Sequence, residues 1–198
     1  MVERQLRRRG IEDERVLDAM GAVPRERFVP PEVRDRAYRD GALPIGEGQT
    51  ISQPWIVARM AALLELEGPE RVLEVGTGSG YAAAVLARLS SHVVTVERIG
   101  SLAARAADLF TELGLRNIEA REGDGSLGAP DRAPFDAIVV TAAPAGRPPA
   151  ALLDQLAPGA PLVCPIERGG DERLVRMIDG REETIAPVRF VPLVEGER

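Results

Sequence analysis

Three glycines at alternate positions, with carboxylates around them, carry the most specific chemistry in this sequence. Leu73-Glu74-Val75-Gly76-Thr77-Gly78-Ser79-Gly80-Tyr81 reads as a buried strand running into a glycine-rich turn and then a helix. Glycine there permits positive φ and lets backbone approach a ligand closely, and open α/β sheets bind ligands at the carboxyl ends of their strands. An ordinary strand-to-helix turn would need one glycine. A dinucleotide fingerprint, G-x-G-x-x-G, would need a further glycine where Tyr81 stands. Glu74, just before the turn, is awkward for a pyrophosphate but suits a cofactor with a sulfonium and an α-ammonium group. Glu97 ends the next strand, 21 residues beyond Gly76, where a carboxylate accepts from both ribose hydroxyls. Gly123-Asp124-Gly125 follows the third strand and offers Asp124 to an adenine amine. The expected cofactor is S-adenosylmethionine, held by Glu74, Gly76, Thr77, Gly78, Gly80, Glu97, Asp124 and Gly125. A nicotinamide or flavin cofactor is the alternative.

The acceptor is read partly from missing chemistry. After the fourth strand the chain has Thr141-Ala142-Ala143-Pro144, where an enzyme methylating nucleobase amines would carry Asn/Asp-Pro-Pro-aromatic. The order Cys164-Pro165 reverses the Pro-Cys nucleophile of cytosine-C5 enzymes, and Cys164 lies in an apolar run that reads as core. The single histidine, His92, opens a strand and reads as a surface residue. With no obvious general base, the acceptor best suited to this chain is already anionic at neutral pH. Carboxylates, with ordinary pKa values of about 4, meet that condition. No metal is expected.

These groups require a scaffold. Strands are expected at 71–75, 92–97, 118–121, 135–140 and 162–166, and helices at 54–66, 81–89, 101–113 and 149–156. Residues 174–178 and 184–194, joined by Asp179-Gly180, read as a hairpin. Such alternation implies an α/β doubly wound, mostly parallel sheet, a Rossmann-like fold with a C-terminal antiparallel hairpin. Residues 1–20 suggest two short amphipathic helices broken at Gly10, and 40–53 a polar Gly/Pro-rich loop outside the core. One domain over 1–198 is expected, with 1–53 as cap and substrate-side loop and 54–198 as cofactor-binding core.

Hydrophobic residues are 44% and charged residues 28% of the 198, a globular composition. The net charge of −6 disfavours nucleic acid and anionic membranes. No apolar run approaches a membrane span, the charged N-terminus does not read as a secretory signal, and a lone cysteine permits no internal disulfide. A cytoplasmic monomer is expected.

Gly48-Gln49-Thr50-Ile51-Ser52-Gln53-Pro54, the glycine loop, Gly123-Asp124-Gly125, Phe135 to Pro144, and Arg189-Phe190-Val191-Pro192-Leu193-Val194 together resemble the protein-L-isoaspartate O-methyltransferases. The matching blocks extend from about residue 24 to residue 194. The resemblance implies methyl transfer from S-adenosylmethionine to the free α-carboxylate of L-isoaspartyl residues in damaged proteins. It makes Ser52 the active-site serine and sets Gln49, Thr50, Ile51 and Ser52 beside the cofactor. Thr141, from the matching 135–144 block, would join them there. Ser52, Thr141, Ala142 and Val191 would border the substrate, and Trp55 alters the pocket edge. Read without the resemblance, Ser52 could simply lie at the start of the helix opened by Pro54. A methyltransferase for another acceptor and a silent cofactor-binding module are the competing readings.

Overall fold

In the computed structural model, which describes residues 1–196, the chain opens with short helical turns at Val2–Leu6 and Arg7–Arg9 that stop at Gly10, whose φ is +85°. Helix α1 (Glu14–Ala22) starts at Asp13, whose carboxylate accepts from the N–H groups of Arg15 and Val16. The segment from Asp40 to Gln53 departs from the sequence expectation. It forms an antiparallel hairpin of β1 (Leu43–Gly46) and β2 (Gln49–Ile51). Glu47 and Gly48 both have positive φ, as a tight hairpin turn requires. Leu43, Ile45 and Ile51 are buried, so three apolar side chains anchor a segment whose mean composition is polar.

Helix α2 (Pro54–Leu63) begins with proline in its first turn, where the missing N–H costs nothing. Then follow β3 (Arg71–Val75), α3 (Tyr81–Leu86), β4 (His92–Glu97), α4 (Gly100–Glu112), β5 (Ile118–Glu122), β6 (Ala137–Val140), α5 (Ala150–Leu153), β7 (Leu162–Arg168), β8 (Asp171–Ile178) and β9 (Arg181–Pro187). Seven strands form one sheet in the order β5-β4-β3-β6-β7-β8-β9. Pairs from β5 through β7 are parallel, while β7–β8 and β8–β9 are antiparallel. The doubly wound architecture with its antiparallel end is therefore present. Order reverses at β3, so its carboxyl end, flanked by β4 and β6, is the crevice where such sheets bind ligands.

Strand alternation divides the core in two. Val72, Val93, Ala137 and Val139 face α1–α4 and the N-terminal segment, while Leu73, Val75, Val94, Val96, Ile138 and Val140 face Phe135 and Leu152. The expected last strand, 184–194, ends early at Pro187. Proline cannot donate to a ladder, and the following segment instead crosses to the end of β6. There Ala143 N–H donates to Val191 C=O and Leu193 N–H to Ala143 C=O, both at 2.8 Å. This crossing brings Val191 to the carboxyl ends of the central strands.

Candidate active site

A cavity of about 320 Å³ lies beyond the ends of β3, β4 and β6, within the size range of small-molecule pockets. Gln49, Thr50, Ile51 and Ser52 form one wall, and Gly76, Thr77 and Gly78 another. Glu97, Gly125, Thr141, Ala142 and Val191 complete the expected residues that reach it.

The turn is shaped by its glycines. Gly76, Gly78 and Gly80 have φ values of +94°, +54° and +84°, a region L-residues avoid. At Gly76 a Cβ would lie 2.4 Å from Thr141 Oγ1. That hydroxyl lies 2.6 Å from Gly76 C=O and 3.0 Å from Val75 C=O. Thr141 thus tethers the turn to the end of β6. At Gly78 the nearest atom to a Cβ would be Ile45 Cδ1 at 3.6 Å, an ordinary contact, so packing there would not exclude a side chain as it does at Gly76. Glu97 is 6% exposed. Its Oε2 accepts from Gly78 N–H and its Oε1 from Ile99 N–H, each at 2.9 Å. Charge-assisted bonds to backbone N–H contribute about 1.5–3 kcal/mol each, enough to fix the carboxylate in the wall without using its remaining lone pairs.

Three expected cofactor residues are placed outside this cavity. Glu74 points to the opposite face of the sheet from Leu73 and Val75 and is completely buried. Its Oε2 accepts from Thr95 Oγ1 at 2.6 Å, Thr95 pairs with Thr77 Oγ1 at 2.6 Å, and its Oε1 has no partner. Burial first, and Glu97 to a lesser degree, push its pKa up to about 8, against the lowering effect of Thr95. Glu74 reaches the cofactor turn only through two hydroxyls. Gly80 is a packing glycine, since a Cβ there would meet the Phe110 ring at 2.7 Å. Asp124 is occupied in holding its loop. Oδ1 accepts from Ser126 N–H and Oγ, and Oδ2 accepts from Gly196 N–H at 2.7 Å.

A second cavity, about 550 Å³, adjoins the first, and the two share Thr50, Ser52, Thr141 and Val191. Ser52 sits between β2 and α2. Its carbonyl accepts from Arg25 Nη2 at 2.7 Å, while its hydroxyl makes no hydrogen bond among the described residues. Sequence reasoning set Trp55 at the pocket edge but missed Arg9 and Asp40 in the outer wall of this cavity. Arg9 lies over the Trp55 ring at 4.7 Å and pairs with Asp40 at 2.7 Å, and Gln53 Nε2 donates to Asp40 Oδ1. Arg189 and Phe190 line the other side. No local pattern marks Arg9, because its neighbours in space lie 31 or more residues away in the chain. Cys164 is buried within β7, and burial raises its pKa far above the usual thiol range, so it is an unreactive core thiol. His92 lies 3.7 Å from Glu119, distant from both cavities.

The family model described as protein-L-isoaspartate(D-aspartate) O-methyltransferase (PCMT) matches residues 1–198. A similar protein, protein-L-isoaspartate O-methyltransferase 1 of Rhodopseudomonas palustris (strain HaA2), is 54% identical over 207 residues, covering 100% of this chain and 82% of its own. Among solved structures, a protein-L-isoaspartate O-methyltransferase superposes with a TM-score of 0.84 at 29% identity, over 97% of this chain and 65% of that longer one. A β-aspartate methyltransferase from Plasmodium falciparum, in complex with S-adenosyl-L-homocysteine, superposes with a TM-score of 0.82 at 26% identity over 96% and 95% of the two chains.

Proposed function

Because the chain belongs to the protein-L-isoaspartate O-methyltransferase family, we propose that it transfers a methyl group from S-adenosylmethionine to the free α-carboxylate of L-isoaspartyl residues in damaged proteins. The ester closes to a succinimide without further enzyme action, and hydrolysis returns part of it to normal aspartate. The observation that carries this reading is the pair of adjoining cavities that meet at Ser52 and Thr141.

The residues of the first cavity fit the cofactor. Positive-φ glycines expose backbone at the turn, and Glu97 offers a fixed acceptor to ribose hydroxyls. Gln49, Thr50 and Ile51 close the opposite wall. When bound, S-adenosylmethionine supplies an electrophilic methyl carbon on a cationic sulfur. The chain need not remove a proton, because the acceptor carboxylate is already ionised. Its task is to align and to exclude water, which can account for a large part of a methyl-transfer barrier. Ser52 has a free hydroxyl at the junction, suited to donating one hydrogen bond to the carboxylate. The N-terminus of α2, whose Trp55 and Ile56 line the second cavity, adds favourable partial positive charge. Val191 and Ala142 flank the acceptor.

The whole chain, 1–198, works as one domain, and as a monomer. Among the described residues only three large apolar side chains are exposed, Tyr38, Leu127 and Val194, too few for an extended apolar interface. The acidic net charge argues against nucleic-acid substrates. Among the described residues no helix is long and apolar enough to cross a membrane. A single buried thiol fits the reducing cytoplasm. The test is transfer of labelled methyl from S-adenosylmethionine to paired peptides, one with L-isoaspartate and one with L-aspartate. Label in the first only is expected; equal labelling would overturn the assignment.

A further inference from the structure

Arg25 has the largest fully buried side chain of the protein, at 0% exposure. Its Nε donates to Ala37 C=O at 2.8 Å and its Nη2 to Ser52 C=O at 2.7 Å. Its Cζ lies 4.7 Å from the centroid of the Tyr81 ring. No carboxylate among the described residues pairs with it, and its Nη1 has no partner. A buried guanidinium without a counter-charge is costly, and an apolar side chain of similar volume commonly serves stability as well or better. Burial accordingly pushes its pKa down.

What the guanidinium provides is geometry. Its planar fork holds two carbonyls at fixed angles while stacking on a ring. One carbonyl belongs to Ser52, which lines both cavities and whose hydroxyl makes no hydrogen bond among the described residues. The ring belongs to Tyr81, which follows Gly80 directly and lines the cofactor cavity. A single buried group therefore links the backbone of the serine to the helix that continues the cofactor turn. Methyl transfer depends on alignment, and a misplacement of about 1 Å can cost roughly a hundredfold in rate.

We propose that Arg25 is a positioning residue for methyl transfer, acting through Ser52 by fixing that residue's backbone relative to the cofactor turn. The inference rests on the role given to Ser52 above. The test is a double-mutant cycle of Arg25→Met and Ser52→Ala, with kcat and KM measured on an isoaspartyl peptide and cofactor Kd measured by calorimetry. Arg25→Met is expected to lower kcat about tenfold in the wild-type background and by less than about twofold in Ser52→Ala, with cofactor Kd changed by less than about threefold. Arg25→Lys, which keeps the charge but loses the planar fork that fixes both carbonyls, should fall between wild type and Arg25→Met. If Arg25→Met does not fold, the same cycle is run with Arg25→Lys. Equal fold-losses in the two backgrounds, or an unchanged kcat in the folded variant, would overturn the inference while leaving Ser52 in place. Wild-type turnover in Ser52→Ala would instead remove the reading of Ser52 and this inference with it.

Discussion

Glu74 should make this protein less stable as pH rises through neutrality, and Glu74→Gln should remove that trend. The carboxyl is fully buried, accepts one hydrogen bond from Thr95 and leaves Oε1 unpartnered. Burial therefore favours its neutral form and lifts the pKa from 4.5 to about 8. A carboxyl with a raised folded pKa retains a proton that the unfolded chain releases. Its stabilising contribution is complete below about 4.5, is lost as pH rises to about 8, and is level above that. One proton corresponds to a slope of at most about 1.4 kcal/mol per pH unit. Between about pH 5.5 and 7.5 the group thus removes up to ~2.7 kcal/mol, or roughly 5–10 °C of melting temperature for a chain of this size. Glutamine imitates the neutral acid in shape, and any fixed cost of its extra N–H groups shifts the curve without tilting it. Both proteins would be unfolded in urea, without cofactor, at several pH values across that window. The wild type should lose stability relative to the variant as pH increases. Parallel curves would refute the claim that Glu74 is buried neutral beneath the turn.

Ser52→Ala should bind cofactor nearly as wild type but turn over about 10–100-fold more slowly, since it loses a positioning hydrogen bond and not a nucleophile; full activity in single-turnover assays would return Ser52 to a backbone role. Replacing Glu97 with Ala should weaken S-adenosylmethionine binding by about 1–3 kcal/mol through loss of the proposed ribose acceptor and of the bond to Gly78 N–H. Unchanged affinity by calorimetry would take Glu97 out of the site. Gly76→Ala and Gly78→Ala should separate folding from binding. The first forces Cβ into Thr141 Oγ1 and should lower the melting temperature clearly. The second shares the positive-φ strain but meets only Ile45 at ordinary contact distance, so it should lower the melting temperature less and mainly weaken cofactor binding. Equal melting losses in the two variants would contradict the geometry of the turn.

The strand–turn–helix pattern, the strand-end position of Glu97 and the antiparallel tail were legible in the sequence, because each depends on neighbours a few residues apart. Three glycines at 76, 78 and 80 are local too, yet their purposes diverge in three dimensions. Gly76 makes room for Thr141, Gly78 makes only an ordinary contact with Ile45, and Gly80 makes room for Phe110. Only packing distinguishes them. Glu74 and Asp124 show the same limit. A carboxylate at a strand end was expected to face ligand, but side-chain alternation turned Glu74 under the sheet face covered by helices, and the returning chain engaged Asp124 through Gly196 N–H. The hairpin of β1 and β2 was hidden because only Leu43, Ile45 and Ile51 mark it within a polar stretch. Arg9 and Arg25 had no signal at all: their partners lie 12 to 56 residues away in the chain, and contacts at that separation are created only when the elements dock. The sequence by itself determined which backbone conformations the cofactor turn could adopt. Tertiary packing decided which side chains reach the two cavities, since that depends on which face each strand turns to the core.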